Sequence, residues 1–318
     1  MDSELYYRHS GRFPTIAAPF GVIVGATGGG LLAFAYAYAV LYCPIVYVNL
    51  LICGVYGWLV GFMAARSMAW LNVRNANVMR GASLLAAAVS FYIAWVAWIY
   101  ALLQRSDVDV LFWPLAYNPK VLWSMILAIN ERGVWSIGRR SSENVTGLVL
   151  WVVWAAEAMI VFGATLLAVG KVLSRPFCEQ CQKWCRPAGA DVLVATGQLS
   201  ELKQRMEAKD FTCLQQLGAK PTDATAWYAL GLCRCPSCDE TTTLSAKQVT
   251  TSVDDKGKTS TDEDVIFTHL LLSADETAAY LATSDAVNAA GPHAAAEQAV
   301  GASTEAASPA GSAEGSSM

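Results

Sequence analysis

Two long stretches near the start of the chain, residues 16–42 and 45–65, carry no charge and are mostly apolar, with only Cys43-Pro44 between them. A bilayer-crossing helix needs about 20 predominantly apolar residues. Together the stretches are too long for one span, and Pro44, lacking the N–H that a continuing helix would use, divides them. Two further stretches, 82–103 without charge and 147–170 with Glu157 alone, are also mostly apolar. The pattern predicts four transmembrane helices, about 16–42, 45–65, 82–103 and 147–170, in a membrane domain covering residues 1–173. In the long connection before the fourth, Asn118-Pro119 supplies an N-cap residue and a proline at the first helical position, and Gly133 a stop. The helix so bounded, 119–132, is apolar on nearly every side. At roughly 14 residues it is about 21 Å long, too short to cross, and an interfacial or re-entrant position is expected. A fifth span starting near Val108 is opposed by Asp109, Pro114, Pro119 and Lys120.

Past Lys171 the pattern is that of a folded, water-facing chain. Residues 199–207 have helical spacing, which 211–217 continue after Asp210. Residues 241–253 and 265–272 read as two strands joined by a turn at 254–258. Ser273-x-x-Glu276 is a capping box opening a short helix to about Thr283. From about Asp285 the chain is largely Ala, Gly, Ser and Glu without aromatics, a composition that cannot bury enough apolar surface to order itself. The fold class expected is a membrane all-α domain, then a small cytoplasmic α+β domain over 174–284, then an acidic disordered tail over 285–318.

Composition agrees with this division. The 318 residues are 54% hydrophobic and 15% charged, against about 45–50% and about 25% in soluble domains. Net charge is −4, and no Lys or Arg follows Lys258, so the C-terminal part has no claim on nucleic acid or anionic lipid. No cleavage pattern follows the first apolar run and no lipidation motif is present, so that run is expected to stay as a span. With the N-terminus inside, Arg8, Arg12, Arg66, Arg74, Arg80, Lys171 and Arg175 fall on the inner side, and Arg105, Lys120, Arg132, Arg139 and Arg140 outside. That bias, together with cysteine pairs that stay available for metal only where thiols are kept reduced, predicts that both termini are cytoplasmic. With no eukaryotic sorting signal visible, a bacterial inner membrane is expected.

Two features of the spans bear on function. Gly21, Gly25 and Gly29 form a small-residue ridge suited to close helix approach, within the chain or between two copies as a homo-oligomer. Glu157 falls near the middle of the fourth span, where a carboxylate costs roughly 2.5–3.5 kcal/mol on insertion scales. No Lys, Arg or His lies in another span to neutralise it, which leaves protonation or hydrogen bonds from groups such as Asn49, Tyr36 or Tyr56. An intramembrane polar site at Glu157 and Asn49 is one reading; a neutral acid tying helix to helix is the other.

The cysteines carry the sharpest signal. Cys178-Glu179-Gln180-Cys181 and Cys235-Pro236-Ser237-Cys238 are two C-x-x-C pairs, the pattern of a zinc ribbon. Each pair sits on a tight turn presenting two thiolates, and two turns complete a four-thiolate tetrahedral zinc site with no open position for a catalytic water. The spacing between pairs is wider than usual, so a folded, helical insertion is expected. Cys185 and Cys233 flank the pairs as substitute ligands, and free buried cysteines or a redox C-x-x-C are the competing readings. Cys213, Cys43, Cys53 and His269 read as structural. No nucleophile–base set, phosphate loop or open metal site is visible, so no enzyme is expected. The leading expectation is an adaptor or assembly component that docks a cytoplasmic protein partner at the lipid bilayer. The alternative is a small transporter, channel or lipid-handling protein using Glu157. A sensor joining the outer connection to the ribbon is a third.

Overall fold

The computed structural model describes residues 5–290 apart from 44, 107, 109, 134–144, 190, 239 and 256. Arg139, Arg140 and most of the expected tail therefore lie outside the described residues. The chain divides into two units. One is His9–Arg175; the other joins Met1–Arg8 to Pro176–Met318.

The first unit is helical: α1 (Ala17–Tyr42), α2 (Val46–Trp70), α3 (Ala76–Arg105), α4 (Phe112–Tyr117), α5 (Pro119–Arg132) and α6 (Gly147–Leu173). α1, α2, α3 and α6 are long and apolar enough to cross a membrane. The second and third outrun the sequence expectation. α2 continues through Arg66, whose guanidinium lies over the Trp70 ring at 5.7 Å. α3 starts six residues early because the Asn75 side chain caps it, accepting from the N–H groups of Asn77 and Val78 at 3.0 and 3.1 Å. α5 matches its expected bounds, with the Asn118 side chain accepting from the Val121 N–H at 3.3 Å. The short α4 before it was not anticipated; Pro114 sits in its first turn, where a missing N–H is tolerated.

Helix contacts follow side-chain size. A Cβ placed on Gly25 would lie 2.7 and 2.8 Å from the Cβ atoms of Ala64 and Ala86, and one on Gly29 would lie 2.2 Å from Ser90 Oγ. The Gly21–Gly25–Gly29 ridge is thus occupied by α2 and α3 of its own chain, not by a second copy. A second ridge, unremarked in the sequence, joins α2 to α6. A Cβ on Gly57 would meet the Val161 carbonyl oxygen at 2.2 Å, and one on Gly61 the Thr165 carbonyl oxygen at 2.6 Å. Two buried polar groups bond backbone of other helices: the Tyr56 hydroxyl reaches the carbonyls of Gly29 and Ser90 at 3.1 and 2.9 Å, and Thr165 Oγ1 donates to the Gly57 carbonyl at 2.9 Å. The outer surface carries Ile23, Leu31, Leu51, Val152 and Leu167 exposed. Large apolar groups outside and small ones between helices are what a bilayer solvent selects. Trp113, Tyr117 and Trp123 of α4 and α5 are also exposed, as in an aromatic belt.

The second unit is built on antiparallel strands: β1 (Phe177–Cys178), β2 (Lys183–Trp184), β3 (Arg186–Pro187), β4 (Val192–Ala195), β5 (Ala226–Arg234), β6 (Thr242–Val253) and β7 (Thr259–Leu272). β1 and β2 form a small hairpin. The larger sheet runs β3-β5-β6-β7, with β4 also on β5. Helices α7 (Leu199–Glu207), α8 (Thr212–Leu217) and α9 (Ala274–Ala290) accompany it. Leu202, Met206, Phe211, Leu214 and Tyr280 from the helices share one core with Tyr228, Leu230, Leu244, Phe267 and Leu270 from the strands. The capping box forms as expected: the Ser273 N–H donates to Glu276 Oε2 at 2.8 Å and the Glu276 N–H to Ser273 Oγ at 3.2 Å. α9 runs on to Ala290, past the expected stop near Thr283 and into the stretch expected to be disordered, because Ser284 and Val287 are buried.

Two differences from the sequence reading matter for the site. The insertion between the cysteine pairs is not only helical. It contributes β4 and the central strand β5, which has neighbours along both edges. The N-terminal residues also belong here rather than with the spans: Tyr6 bridges Leu270, the Tyr7 N–H donates to the His269 carbonyl at 2.8 Å, and the Leu271 N–H donates to the Leu5 carbonyl at 3.0 Å. Unsatisfied main-chain groups on the β7 edge account for this docking, since a sheet edge is a template for one more strand.

Candidate metal centre

The first cysteine pair sits at the tip of the β1–β2 hairpin, where Cys178 pairs with Lys183. Reversing the chain in so few residues puts Gln182 at φ 53, a left-handed conformation that costs a non-glycine residue about 1 kcal/mol or more. The Gln182 side chain recovers part of it by donating to the Glu179 carbonyl at 2.6 Å. The second pair occupies the turn between β5 and β6, closed by the Cys235 N–H donating to the Thr241 carbonyl at 3.0 Å. Lys183 Nζ donates to Ser237 Oγ at 2.7 Å and joins the two turns.

The turns bring Cys178, Cys181, Cys235 and Cys238 together, with all four sulfurs within 4.8 Å of one another. Cys178 and Cys235 are buried, Cys181 and Cys238 half-buried. The donor set fits a tetrahedral metal. Metal–sulfur bonds of about 2.3 Å set the sulfurs about 3.8 Å apart, and the Cys178 and Cys238 sulfurs lie 3.6 Å apart. Burial pushes the Cys178 thiol up, but hydrogen bonds from Thr241, the Cys181 backbone and the other thiols outweigh it and bring it down to about 7. Cys181 is pushed up to about 12, by its bond to Cys238 first, then by burial and the charge of Cys235 and Cys238. Cys238 is also raised. One thiolate forms readily and the next are resisted, so the cluster is short of positive charge.

Cys185 and Cys233 lie against this cluster without joining the four. Cys185 is buried beneath it with its sulfur 3.8 Å from the Thr241 carbonyl, and burial followed by the nearby Cys233 and Cys235 pushes it up to about 12. Its backbone N–H closes the base of the first turn on the Pro176 carbonyl at 2.9 Å. Cys213 stands apart in the core, its thiol bonded to the Asp210 carbonyl. His269 is in the sheet with φ 59, its N–H donating to Ser245 Oγ at 3.0 Å.

The two intramembrane residues are not brought into one hydrogen-bonded site. Asn49 donates to the Cys43 carbonyl at 3.3 Å and so ties off the end of α1, while its Oδ1 is buried without a partner. Glu157 is half-buried on α6, within electrostatic reach of the Tyr36 hydroxyl and the Cys53 thiol, which bond each other at 3.3 Å. Sequence reasoning did not connect Tyr56, Ser90 and Thr165, which lie on α2, α3 and α6 and each reach a glycine carbonyl of another helix. Compared with known proteins, the chain matches no family model, no curated protein and no solved structure.

Proposed function

We propose that this chain is a membrane-anchored adaptor: four spans hold, on the cytoplasmic face of a bacterial inner membrane, a domain closed by structural zinc, and that domain docks a cytoplasmic protein partner. The observation that carries the reading is the sulfur tetrad. Its four donors all come from protein, which closes the coordination sphere and leaves the metal a fold-forming rather than a catalytic role. Four thiolates suit zinc among the metals abundant in cells, and such thiols stay reduced in the cytoplasm. The pairing of residues 5–7 with β7 agrees with an even number of spans between the N-terminal residues and the metal domain, and the cytoplasmic side is supported by the Lys and Arg bias and by the reduced thiols.

The test is an in-cell crosslinking pull-down of the intact protein beside a Cys235→Ser/Cys238→Ser double variant, with zinc quantified in both. Zinc and one specific partner are expected to be lost together while the helical unit stays inserted. A variant that has lost its zinc yet keeps every partner would sink the adaptor reading.

A further inference from the structure

The N-terminal strand does more than cover a sheet edge. The Tyr7 N–H bonds the His269 carbonyl at 2.8 Å, and its ring stands edge-on to the His269 ring at 6.4 Å. This directs the Tyr7 hydroxyl onto the backbone of Phe177. The hydroxyl accepts from the Phe177 N–H at 2.9 Å and donates to the Phe177 carbonyl at 3.2 Å. Phe177 is fully buried, stacks edge-on against Trp184 at 5.1 Å and immediately precedes Cys178. A two-residue strand such as β1 has few partners of its own: β2 on one side, and on the other a side chain borrowed from the opposite end of the chain.

We propose that Tyr7 is a positioning residue of the metal centre, so that docking of residues 5–7 and metal occupancy are thermodynamically linked. The inference rests on the metal reading above. Tyr7 touches no ligand sulfur; it acts through Phe177, fixing the backbone from which the Cys178 sulfur projects. Because linkage is reciprocal, metal loading tightens the N-terminal strand by the same factor by which the docked strand raises metal affinity. Undocking of residues 5–7 therefore loosens the metal, and metal loss loosens the docking of residues 5–7.

The test uses the full-length protein in detergent, with zinc alone as the probe and a chromophoric chelator as competitor. Tyr7→Phe, which removes both bonds to Phe177, is expected to weaken zinc affinity about five-fold or more, an ordinary hydrogen bond being worth about that factor. Tyr228→Phe, which removes a hydroxyl bonded to the Gly197 carbonyl at 2.6 Å within the same unit, is expected to lower stability while leaving zinc affinity unchanged. In the wild-type protein, amide exchange at Tyr7 and Leu271 is expected to slow on adding zinc. Tyr7→Phe binding zinc as tightly as wild type, or exchange at Tyr7 indifferent to zinc, would overturn the linkage. Wild-type protein that takes up no zinc would remove the metal reading itself, an outcome read in a separate arm.

Discussion

Four thiols within 4.8 Å cannot all ionise unaided. The first does so easily, since hydrogen bonds bring Cys178 to about 7, but Cys181 is held up to about 12 by its bond to Cys238, by burial and by its charged neighbours. A divalent cation removes that resistance, and in doing so expels the remaining protons. At neutral pH, zinc uptake is expected to release protons. The sign follows: zinc affinity falls as pH is lowered, because protons compete for the sulfurs. It falls more steeply below about 7, where Cys178 is protonated as well. Competition titrations of the full-length protein between about pH 6 and about pH 8.5 would read this; an affinity independent of pH would mean that the sulfurs are not the ligands. The four cysteines were legible because two-residue spacings encode a turn, and a turn is local. Gln182 in the left-handed region and Tyr7 on Phe177 were not, since each depends on neighbours that spacing does not name.

Among the elements, spans are easiest to see and their mutual contacts hardest. Hydropathy marks α1, α2, α3 and α6 because a bilayer demands unbroken apolar length. The glycines of α1 stand out by number, yet those of α2 make the closer approach, with backbone of α6 where a Cβ would sit. Gly57→Ala is therefore expected to destabilise the helical unit by about 1–3 kcal/mol, the usual cost of overpacking. Gly163→Ala, with open space around it, should be neutral or slightly stabilising through helix propensity. Thermal unfolding of the purified variants in detergent would separate them, and equal melting temperatures would show that α2 and α6 do not meet there. Strand β5 escaped notice for a different reason. It is central in the sheet, so Tyr228, Ala229 and Leu230 are buried in succession and no alternation marks it. The hairpin of β6 and β7 was visible because β-branched and apolar runs flank a turn built by Asp254 and Gly257.

At the level of the whole molecule, the parity of the spans is the testable property. Residues 5–7 pair with β7, and the proposed four-span topology therefore puts the N-terminal residues and the metal domain on one side and the connection carrying α5 on the other. Reporters that fluoresce only in the cytoplasm or are active only outside it, fused at the N-terminus, within the connection after Arg132 and after Ala290, are expected to read same, opposite, same. Termini reporting opposite sides would contradict the pairing. Overall architecture was legible from the sequence because charge and apolar length are properties of long segments. That the first residues return to complete a sheet formed by the last third was not, because a three-residue strand has no pattern to find.

That return sets an order of events during synthesis. Leu5, Tyr6 and Tyr7 precede all four long apolar helices in the chain, whereas β7, the strand they join, follows the last of them, so it is synthesised later. Until then the first residues have no partner, and β7, once made, has an open edge of the kind that recruits other chains. A nascent chain that has skipped or gained one span carries its first residues to the wrong side and can never close that edge. Pairing of residues 5–7 with β7 is thus compatible only with an even number of crossings between them.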